Sequence, residues 1–307
     1  MMKTELIEQY DMLPQGCTVL CAVSGGADSM CLLHWLNELR AAGHFTVYAA
    51  HFEHGLRGEE SLRDAAFTLE TCAKLGIHCV LGHGNVHTFA EENRMGIEEA
   101  ARVLRYRFLE ETADNLECDR IATAHTANDN AETILMNLCR GAGTRGLSGI
   151  PPVRGRLIRP LLQTERTEIE EYLRQRGIAH MEDSSNATDT CTRNRFRHMI
   201  IPILEEENPS VFQAFNRTAK LLREDDECLC RLAEAFLKEN YDGESIPGRK
   251  LTQMEPAIAS RVLRILCGTG LSRERIQALM RFAEGTETGV LEIPGRKIVR
   301  RRGRLYF

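Results

Sequence analysis

The sequence predicts an α/β protein whose parallel β-sheet is covered by helices and is followed by a smaller, mostly helical domain. From residue 18 onward, short apolar runs alternate with amphipathic helical patterns, which is typical of a parallel sheet with helices on both faces. Beyond Asn208-Pro209 the alternation stops, and helical periodicity continues to about residue 283. We therefore expect one domain at residues 1–208 and a second at 209–307.

The elements of the first domain follow in chain order. The predicted strands lie at 18–23, 46–52, 77–81 and 120–124. The predicted helices start directly after the first strand, at Ser61, and near residues 97, 131 and 164. Ser61 and Asp64 form a capping-box pattern, and Gly76 and Gly177 are typical helix ends. Two short strands at 289–293 and 297–307 are expected to form a terminal β-hairpin.

The composition is that of an ordinary globular protein. Of the 307 residues, 43% are hydrophobic and 27% are charged, and the formal net charge of −5 excludes a global basic field that would attract nucleic acid. Basic residues instead form two local patches, one at Arg193, Arg195 and Arg197 and one between Arg296 and Arg304. A nucleic-acid partner is expected to meet such a patch, although a solvated tail explains the second equally well.

Cysteine usage and hydropathy indicate the compartment. Eleven cysteines, an odd number without a C-x-x-C pair, favour reduced thiols over a disulfide framework or a zinc site. The N-terminus lacks the apolar segment of a signal peptide, and no apolar run reaches membrane-spanning length. We therefore expect a cytoplasmic protein without a membrane partner.

The most informative segment is Ser24-Gly25-Gly26-Ala27-Asp28-Ser29, called here the glycine loop, which links the first strand to the first helix. Adjacent glycines let backbone N–H groups approach phosphate oxygens, serine hydroxyls add donors, and the helix presents its positive end. The spacing differs from that of the common NTPase loop and from that of dinucleotide binders. The segment predicts a site for the pyrophosphate part of a nucleotide.

Four further motifs follow the glycine loop in a fixed order. They are His51-Phe-Glu-His-Gly-Leu-Arg57 with Gly58-Glu-Glu-Ser61, Ala124-His-Thr-Ala-Asn-Asp-Asn-Ala-Glu-Thr133, Glu182-Asp-Ser-Ser-Asn186 and Arg193-Asn-Arg-Phe-Arg-His198. In this order and spacing the chain resembles the tRNA(Ile)-lysidine synthetases, which belong to the PP-loop ATP pyrophosphatases with a Rossmann-like nucleotide-binding domain. The resemblance is strong over about residues 18–210. Because five ordered motifs rarely coincide by chance, it is far more specific than any one of them.

The resemblance implies a reaction and its partners. ATP and free L-lysine would modify the wobble cytidine of a tRNA(Ile) with a CAU anticodon, giving lysidine, AMP and pyrophosphate. The C2 carbonyl of cytosine is a poor electrophile, so its oxygen is first adenylated and the ε-amine of lysine then displaces AMP. Charge on the phosphates would be neutralised by N–H donors, cations and Mg²⁺.

The resemblance also implies roles for residues of the motifs. Pyrophosphate would be cradled by the glycine loop, at Ser24, Gly25, Gly26, Ala27 and Ser29. Mg²⁺ would be held by Asp28 and Asp129, because this hard cation prefers carboxylates and water. Arg195 would place a cation on the phosphates or the cytidine, with Arg193 and Arg197 beside it. A surface ion-pair cluster is the alternative explanation for the three arginines.

Three other candidate residues have two explanations each. His125 would contact the adenine or the ribose, although a strand-end histidine is often simply packed and hydrogen-bonded. Arg57 and Glu132 would contact the substrate or the tRNA, although helix-end ion pairing would explain both without a ligand.

The chain departs from the family pattern at several positions. Asn128 replaces the first Asp of the family's His-His-x-Asp-Asp-Gln motif, Asn130 replaces its Gln, and Thr126 replaces its second His; Glu53 stands where an Asn is usual. We expect Asp129 alone to supply the carboxylate of this motif and Asn128 to serve as a helix N-cap. The length resembles that of the short members without an extra C-terminal domain, and the resemblance is compatible with a homodimer.

Other functions share the glycine loop. A related enzyme could thiolate a tRNA base, but such enzymes usually rely on paired or clustered cysteines. An amide-forming synthetase would want an ammonia-handling domain, and no segment predicts one. A non-catalytic tRNA-binding relative is the third alternative, which the presence of both Asp28 and Asp129 disfavours.

Overall fold

We describe a computed structural model of the chain over residues 2–55, 59–182, 192–268 and 270–307. The chain divides into two compact units, Met1–Ala219 and Lys220–Phe307. The division falls later than the expected boundary at residue 208, because the first turns of a long helix, α11 (Val211–Asn240), pack with the first unit. Phe212, for example, is buried with Ala127 and Ala131 in that unit.

A six-stranded sheet forms the centre of the first unit. Its strands are β1 (Thr18–Ala22), β2 (Thr46–Glu53), β3 (Cys79–His83), β4 (Arg120–Ala122), β5 (Val153–Arg154) and β6 (Leu157–Ile158). They lie in the order β3-β2-β1-β4-β6-β5, and every pairing is parallel except that of β5 with β6. The predicted parallel α/β fold is therefore confirmed. Because β1 lies between β2 and β4, the loop that follows it opens at the middle of the sheet's carboxyl edge.

Helices cover this sheet. They are α1 (Glu5–Gln9), α2 (Ala27–Gly43), α3 (Glu59–Lys74), α4 (Val86–Asn93), α5 (Ile97–Asn115), α6 (Ala127–Cys139), α7 (Thr144–Leu147), α8 (Arg166–Arg176), α9 (Thr192–Arg195) and α10 (Ile201–Glu207). Between α9 and α10 the chain makes one π-helical turn, Phe196–Ile200. The core is built from residues such as Val19 and Leu20 of β1, which are fully buried, as expected for a strand covered on both faces.

Some details of the first unit differ from the predictions. The expected capping box at Ser61 and Asp64 is not observed, because α3 already begins at Glu59 and places both residues inside the helix. Strand β3 starts at Cys79 rather than at residue 77, because the backbone N–H of Ile77 donates a hydrogen bond to Cys72 O in the last turn of α3. The helix end at Gly177 is confirmed, with φ of 61° at that residue.

The second unit combines helices with an antiparallel sheet. Its shorter helices are α12 (Gly248–Thr252), α13 (Pro256–Cys267) and α14 (Arg273–Glu284), and its strands are β7 (Ser245–Pro247), β8 (Gly289–Ile293), β9 (Arg296–Arg301) and β10 (Arg304–Tyr306). The strands pair in the order β7-β10-β9-β8. The expected terminal hairpin is thus part of a four-stranded sheet, because β7, inside the region predicted to be helical, pairs with β10.

The basic patch at the end of the chain is partly structural. The Arg300 guanidinium lies over the Phe282 ring and donates to the carbonyl oxygens of Phe282 and Glu287. Arg304 pairs with Asp242. These contacts tie the strands to the helices of the second unit, so the patch is not simply a solvated tail.

Within the described ranges, none of the helices combines the length and the apolar character needed to cross a membrane.

Candidate functional site

The glycine loop lies at the carboxyl end of β1 and opens α2. Gly26 is the N-cap residue of α2, so the first backbone N–H groups of the helix face out of the loop without helical acceptors. Ser29 Oγ donates to Gly26 O at 2.9 Å and accepts from Ser24 N at 3.1 Å. These bonds close the loop on itself. The hydroxyl of Ser29, which is 5% exposed, therefore supports the loop's shape.

The two glycines of the loop differ in backbone conformation and in surroundings. Gly25 has φ of +89°, a conformation that residues with a side chain rarely adopt, and an added Cβ would lie 3.6 Å from Met181 Cγ. Met181 N donates to Gly25 O at 2.9 Å, and Gly26 forms a parallel bridge with Met181. Gly26 has ordinary φ, and an added Cβ would meet only Ser24 Oγ and Met181 O at ordinary contact distance. The segment before residue 182 therefore braces the loop.

Asp28 carries the charge of the loop. Its Oδ2 lies 3.5 Å from Arg166 Nη1, while its Oδ1 is buried without a hydrogen-bond partner. Burial raises the pKa of Asp28, the nearby Asp129 carboxylate raises it further, and Arg166 and Arg197 oppose the shift. A buried carboxylate oxygen without a donor is costly, so this atom is suited to a bound cation.

Asp129 forms hydrogen bonds with Thr126 at the start of α6. Its Oδ2 accepts from Thr126 N at 2.9 Å, and Thr126 Oγ1 accepts from Asp129 N at 3.3 Å, which completes a capping box. The N-cap is therefore Thr126, and the expectation that Asn128 caps this helix is wrong. Asn128 Oδ1 instead accepts from Arg166 N at 2.9 Å and satisfies the first N–H of α8. The second oxygen of Asp129 lies 3.7 Å from Arg197 Nη2.

Glu132 is fully buried between two arginines. Arg197 Nε donates to Glu132 Oε1 at 2.7 Å, and Arg193 Nε lies 3.2 Å from Oε2. Burial raises the pKa of Glu132, and the hydrogen bond from Arg197 opposes that shift. Glu132 is thus ion-paired, as the alternative explanation expected, but it lies in the middle of α6 and not at a helix end.

The three arginines of the last motif do not act as one group. Arg193 and Arg197 are four residues apart and share one helical face, whereas Arg195 lies on the opposite face. Arg195 is exposed and donates to Thr192 Oγ1 at 3.2 Å. The structure therefore brings Arg193 and Arg197, but not Arg195, to the carboxylates of α6.

His125 lies at the carboxyl end of β4, 3.0 Å from Thr123 Oγ1 through Nδ1. Burial lowers the pKa of His125 to about 4, Asp129 opposes the shift, and Arg159, Arg105 and Arg102 reinforce it. The ring is neutral at pH 7, so it can accept or donate one hydrogen bond but carries no charge.

Two residues of the motif that begins at His51, at the end of β2, have structural roles. His51 is buried and its Nδ1 lies 3.0 Å from Val23 O, which joins β2 to the start of the glycine loop. Glu53 Oε1 accepts from Gly55 N at 2.7 Å, and Oε2 pairs with His83 Nδ1. Arg57, together with residues 183–186 of the fourth motif, lies outside the described residues.

Several cations of the site were missed from the sequence. Arg166 pairs with Asp28, and the charges of Arg102, Arg105 and Arg159 help to lower the pKa of His125. The signal for Arg159 and Arg166 is their position after β6, but a strand of two residues is too short to be recognised by periodicity. For Arg102 and Arg105 the helical pattern was clear, and only the packing of α5 shows which face they share.

The side chains of the candidate site include few groups that could hold a metal ion. Among the residues that the structure describes, no group of three or more His, Cys, Asp or Glu side chains is arranged to hold a metal ion. Mg²⁺ is commonly bound by one or two carboxylates together with substrate phosphates and water. Asp28, with its orphaned oxygen, and the nearby Asp129 fit that mode of binding.

Several known proteins are similar to this chain in sequence or in fold. The family model of the PP-loop domain matches residues 2–204. The tRNA(Ile)-lysidine synthase of Geobacillus kaustophilus is 36% identical over 98% of this chain and 68% of its own length. That of Bacillus subtilis is 34% identical over 96% and 66%, respectively. That of Clostridium perfringens is 41% identical over 77% of this chain and 52% of its own length, so the chain spans about half of that relative.

Among solved structures, the U34-tRNA thiolase NcsA from Methanococcus maripaludis has a TM-score of 0.59 at 20% identity, covering 71% of this chain and 77% of the thiolase. This likeness extends only to the fold. The synthases of Geobacillus kaustophilus and Bacillus subtilis, by contrast, are 36% and 34% identical over nearly the whole of this chain. The chain therefore belongs to the PP-loop domain family and, within it, to the tRNA(Ile)-lysidine synthases.

Proposed function

We propose that this chain ligates L-lysine to C2 of the wobble cytidine of a tRNA(Ile) with a CAU anticodon, converting ATP to AMP and pyrophosphate. The proposal rests above all on one observation. The glycine loop places a helix N-terminus and the carboxylate of Asp28, with its buried unpaired oxygen, at the middle of the sheet's carboxyl edge. The similarity to tRNA(Ile)-lysidine synthases favours lysidine formation over the other reactions that such a loop serves.

The glycine loop would hold the pyrophosphate part of ATP. Its backbone N–H groups and the α2 dipole favour an anion that gains charge as the bond to the α-phosphate breaks. The positive φ of Gly25 and the bracing by Met181 fix these donors before ATP arrives, so little reorganisation is needed. Such preorganised donors stabilise the departing pyrophosphate more than they stabilise bound ATP.

Asp28 and Asp129 would hold Mg²⁺. The bound ion would supply Lewis-acid stabilisation of charge on the phosphates. Arg166 now neutralises Asp28 from 3.5 Å, and Arg197 lies 3.7 Å from Asp129. Both guanidinium groups are thus positioned to exchange a carboxylate for a phosphate oxygen when nucleotide and ion are present.

The chemistry has two displacement steps. The C2 oxygen of cytidine attacks the α-phosphorus, and the bond to pyrophosphate breaks. The ε-amine of lysine then attacks C2, the C2–O bond breaks with release of AMP, and the nitrogen loses its protons to solvent or a base. Neutral His125 is suited to hydrogen-bond a ribose or base, since its low pKa leaves it uncharged.

Thiolation is the weaker alternative. It needs cysteines that can carry sulfur or a cluster. In the described part of the first unit, Cys17, Cys21, Cys31, Cys72 and Cys118 are buried in the core around the sheet. Burial also raises the pKa of Cys21, Cys31 and Cys118, which disfavours the thiolate form that sulfur transfer needs.

The proposal is tested by the co-substrate dependence of AMP release. The protein is incubated with ATP, L-lysine and a transcript of tRNA(Ile) bearing the CAU anticodon, and AMP and pyrophosphate are quantified. Release of both should require the transcript, and covalent lysine should appear in the RNA. A transcript with uridine at the wobble position is the matched control and should support neither. AMP release that ignores the RNA, or that proceeds equally with the uridine transcript, would contradict the proposal.

A further inference from the structure

A group of basic side chains converges on one tyrosine beside the proposed active site. The guanidinium carbons of Arg102 and Arg105 lie 4.8 and 5.5 Å from the centre of the Tyr106 ring, so both arginines of α5 stack on it. Arg159, which follows β6, approaches the Tyr106 hydroxyl, and Arg154 of β5 lies close to Arg159. We call these five residues the Arg–Tyr cluster.

The cluster contains buried donors without acceptors. Arg159 is only 2% exposed; its Nη1 donates to Pro151 O at 2.6 Å, but its Nε is buried and makes no hydrogen bond. The Tyr106 hydroxyl is likewise buried without a well-aligned partner. Buried polar groups are nearly always paired in folded proteins, so the orphaned Nε of Arg159 favours a further acceptor at this place.

The cluster concentrates positive charge in one place. Among the described residues, no carboxylate forms an ion pair with any of its four arginines. Burial lowers the pKa of Arg105 and of Arg159, and neighbouring arginines lower both further. Four guanidinium groups gathered without a counter-ion favour a bound anion.

The position of the cluster relates it to the reaction. Arg159 lies at the carboxyl end of β6, and His125 lies at the carboxyl end of β4. Three of the four arginines help to lower the pKa of His125. β4 is the neighbour of β1, which the glycine loop follows. The cluster therefore lies at the same edge of the sheet as the glycine loop but on its β4–β6 side.

We propose that the Arg–Tyr cluster binds a backbone phosphodiester of the RNA substrate, next to the nucleotide that is modified. The inference rests on the proposed function, in which the glycine loop already accommodates the phosphates of ATP. The carboxylate of free lysine is a poorer match, because lysine carries a net positive charge that four arginines repel. A phosphodiester is an anion without that penalty, and bidentate guanidinium contacts suit it.

The test separates RNA binding from ATP binding. Arg102→Gln and Arg154→Gln change two exposed members of the cluster, and Arg107→Gln, on α5 but stacked on Phe89, is the matched control. Affinity for the tRNA(Ile) transcript is measured by fluorescence anisotropy over a range of KCl concentrations without ATP. Affinity for ATP is measured by calorimetry without RNA.

We expect each cluster variant to bind the transcript roughly tenfold more weakly and to lower the salt slope by about one unit. ATP affinity should stay within about twofold of the parent protein, and Arg107→Gln should change neither quantity. Unchanged RNA affinity, or a loss of ATP affinity as large as the loss of RNA affinity, would overturn the proposal.

Arg159→Lys provides a second test at the buried position. It keeps the charge but loses the planar pair of donors, so we expect weaker RNA binding in a protein with near-native circular dichroism. If the parent protein binds the transcript and the variants weaken it, yet no lysine is incorporated, the cluster assignment stands and only the proposed reaction fails.

Discussion

At the scale of single residues, Asp28 is the strongest candidate for a functional role, because a buried carboxylate oxygen without a donor is costly and suits a bound cation. One of its oxygens is buried without a partner, and burial raises its pKa. We expect Asp28→Asn to lower lysine-dependent AMP release by about 10²-fold or more, since charge stabilisation on the phosphates is lost. Its melting temperature should equal or exceed that of the parent, because the amide is cheaper to bury. Scanning fluorimetry beside the AMP assay checks both; normal turnover would remove Asp28 from the site.

His125 gives a prediction about pH. Its pKa falls from 6.5 to about 4 in the folded protein, so the folded state binds fewer protons than the unfolded chain between these values. The stability associated with neutral His125 is therefore complete above pH 6.5 and is lost as the pH falls toward 4. We expect the urea midpoint to drop over this range and His125→Asn to reduce the drop. An equal pH dependence in the variant would show that other groups cause it.

At the scale of elements, α9 and the π-helical turn form one continuous helical run, and its faces determine which arginines reach the candidate site. Arg193 and Arg197 pair with the buried Glu132, whereas Arg195 points away. We expect Arg197→Ala to destabilise the protein by about 3 kcal/mol, because it leaves a buried carboxylate undercompensated. Arg195→Ala, the matched control on the other face, should cost at most about 0.5 kcal/mol. Urea unfolding measures both, and similar losses would contradict the assignment.

The start of α6 permits a second comparison. Thr126 caps this helix, and Asn128 Oδ1 accepts a hydrogen bond from Arg166 N in the first turn of α8. Thr126→Ala should cost about 1 kcal/mol, while Thr126→Ser keeps the hydroxyl and should cost less. Asn128→Asp preserves the acceptor and should change stability by less than about 0.5 kcal/mol. Chemical denaturation of the four proteins decides; a large loss in Asn128→Asp would show that the amide donor matters as well.

The sequence predicted the central elements for a physical reason. Strands such as β1 are continuous apolar runs, and α5 and α8 carry clear helical periodicity, so local pattern and burial agree. Strands β6 and β7 have two and three residues, and their pairing with β4 and β10 joins distant segments. Such elements exist only through tertiary pairing and could not be predicted locally.

The site was predictable to the same degree. The glycine loop, Asp28 and Asp129 follow from motifs whose residues are close in sequence. The opposite faces of Arg193 and Arg195 also follow from helical spacing, although the motif alone suggested that all three arginines act together. Arg166 and the arginines around His125 come from other elements, and only the packing of α5 and α8 brings them to the carboxyl edge.

At the scale of the whole molecule, the central claim is that this chain joins lysine to a tRNA base at the expense of ATP. The most direct measurement is mass spectrometry of nucleosides from tRNA(Ile) bearing the CAU anticodon, after incubation with the protein, ATP and isotopically labelled lysine. We expect the wobble cytidine to disappear and a nucleoside carrying the whole labelled amino acid to replace it, whereas Asp28→Asn should leave the cytidine intact. An unmodified cytidine with the parent protein, or a product that contains sulfur instead of lysine, would contradict this claim.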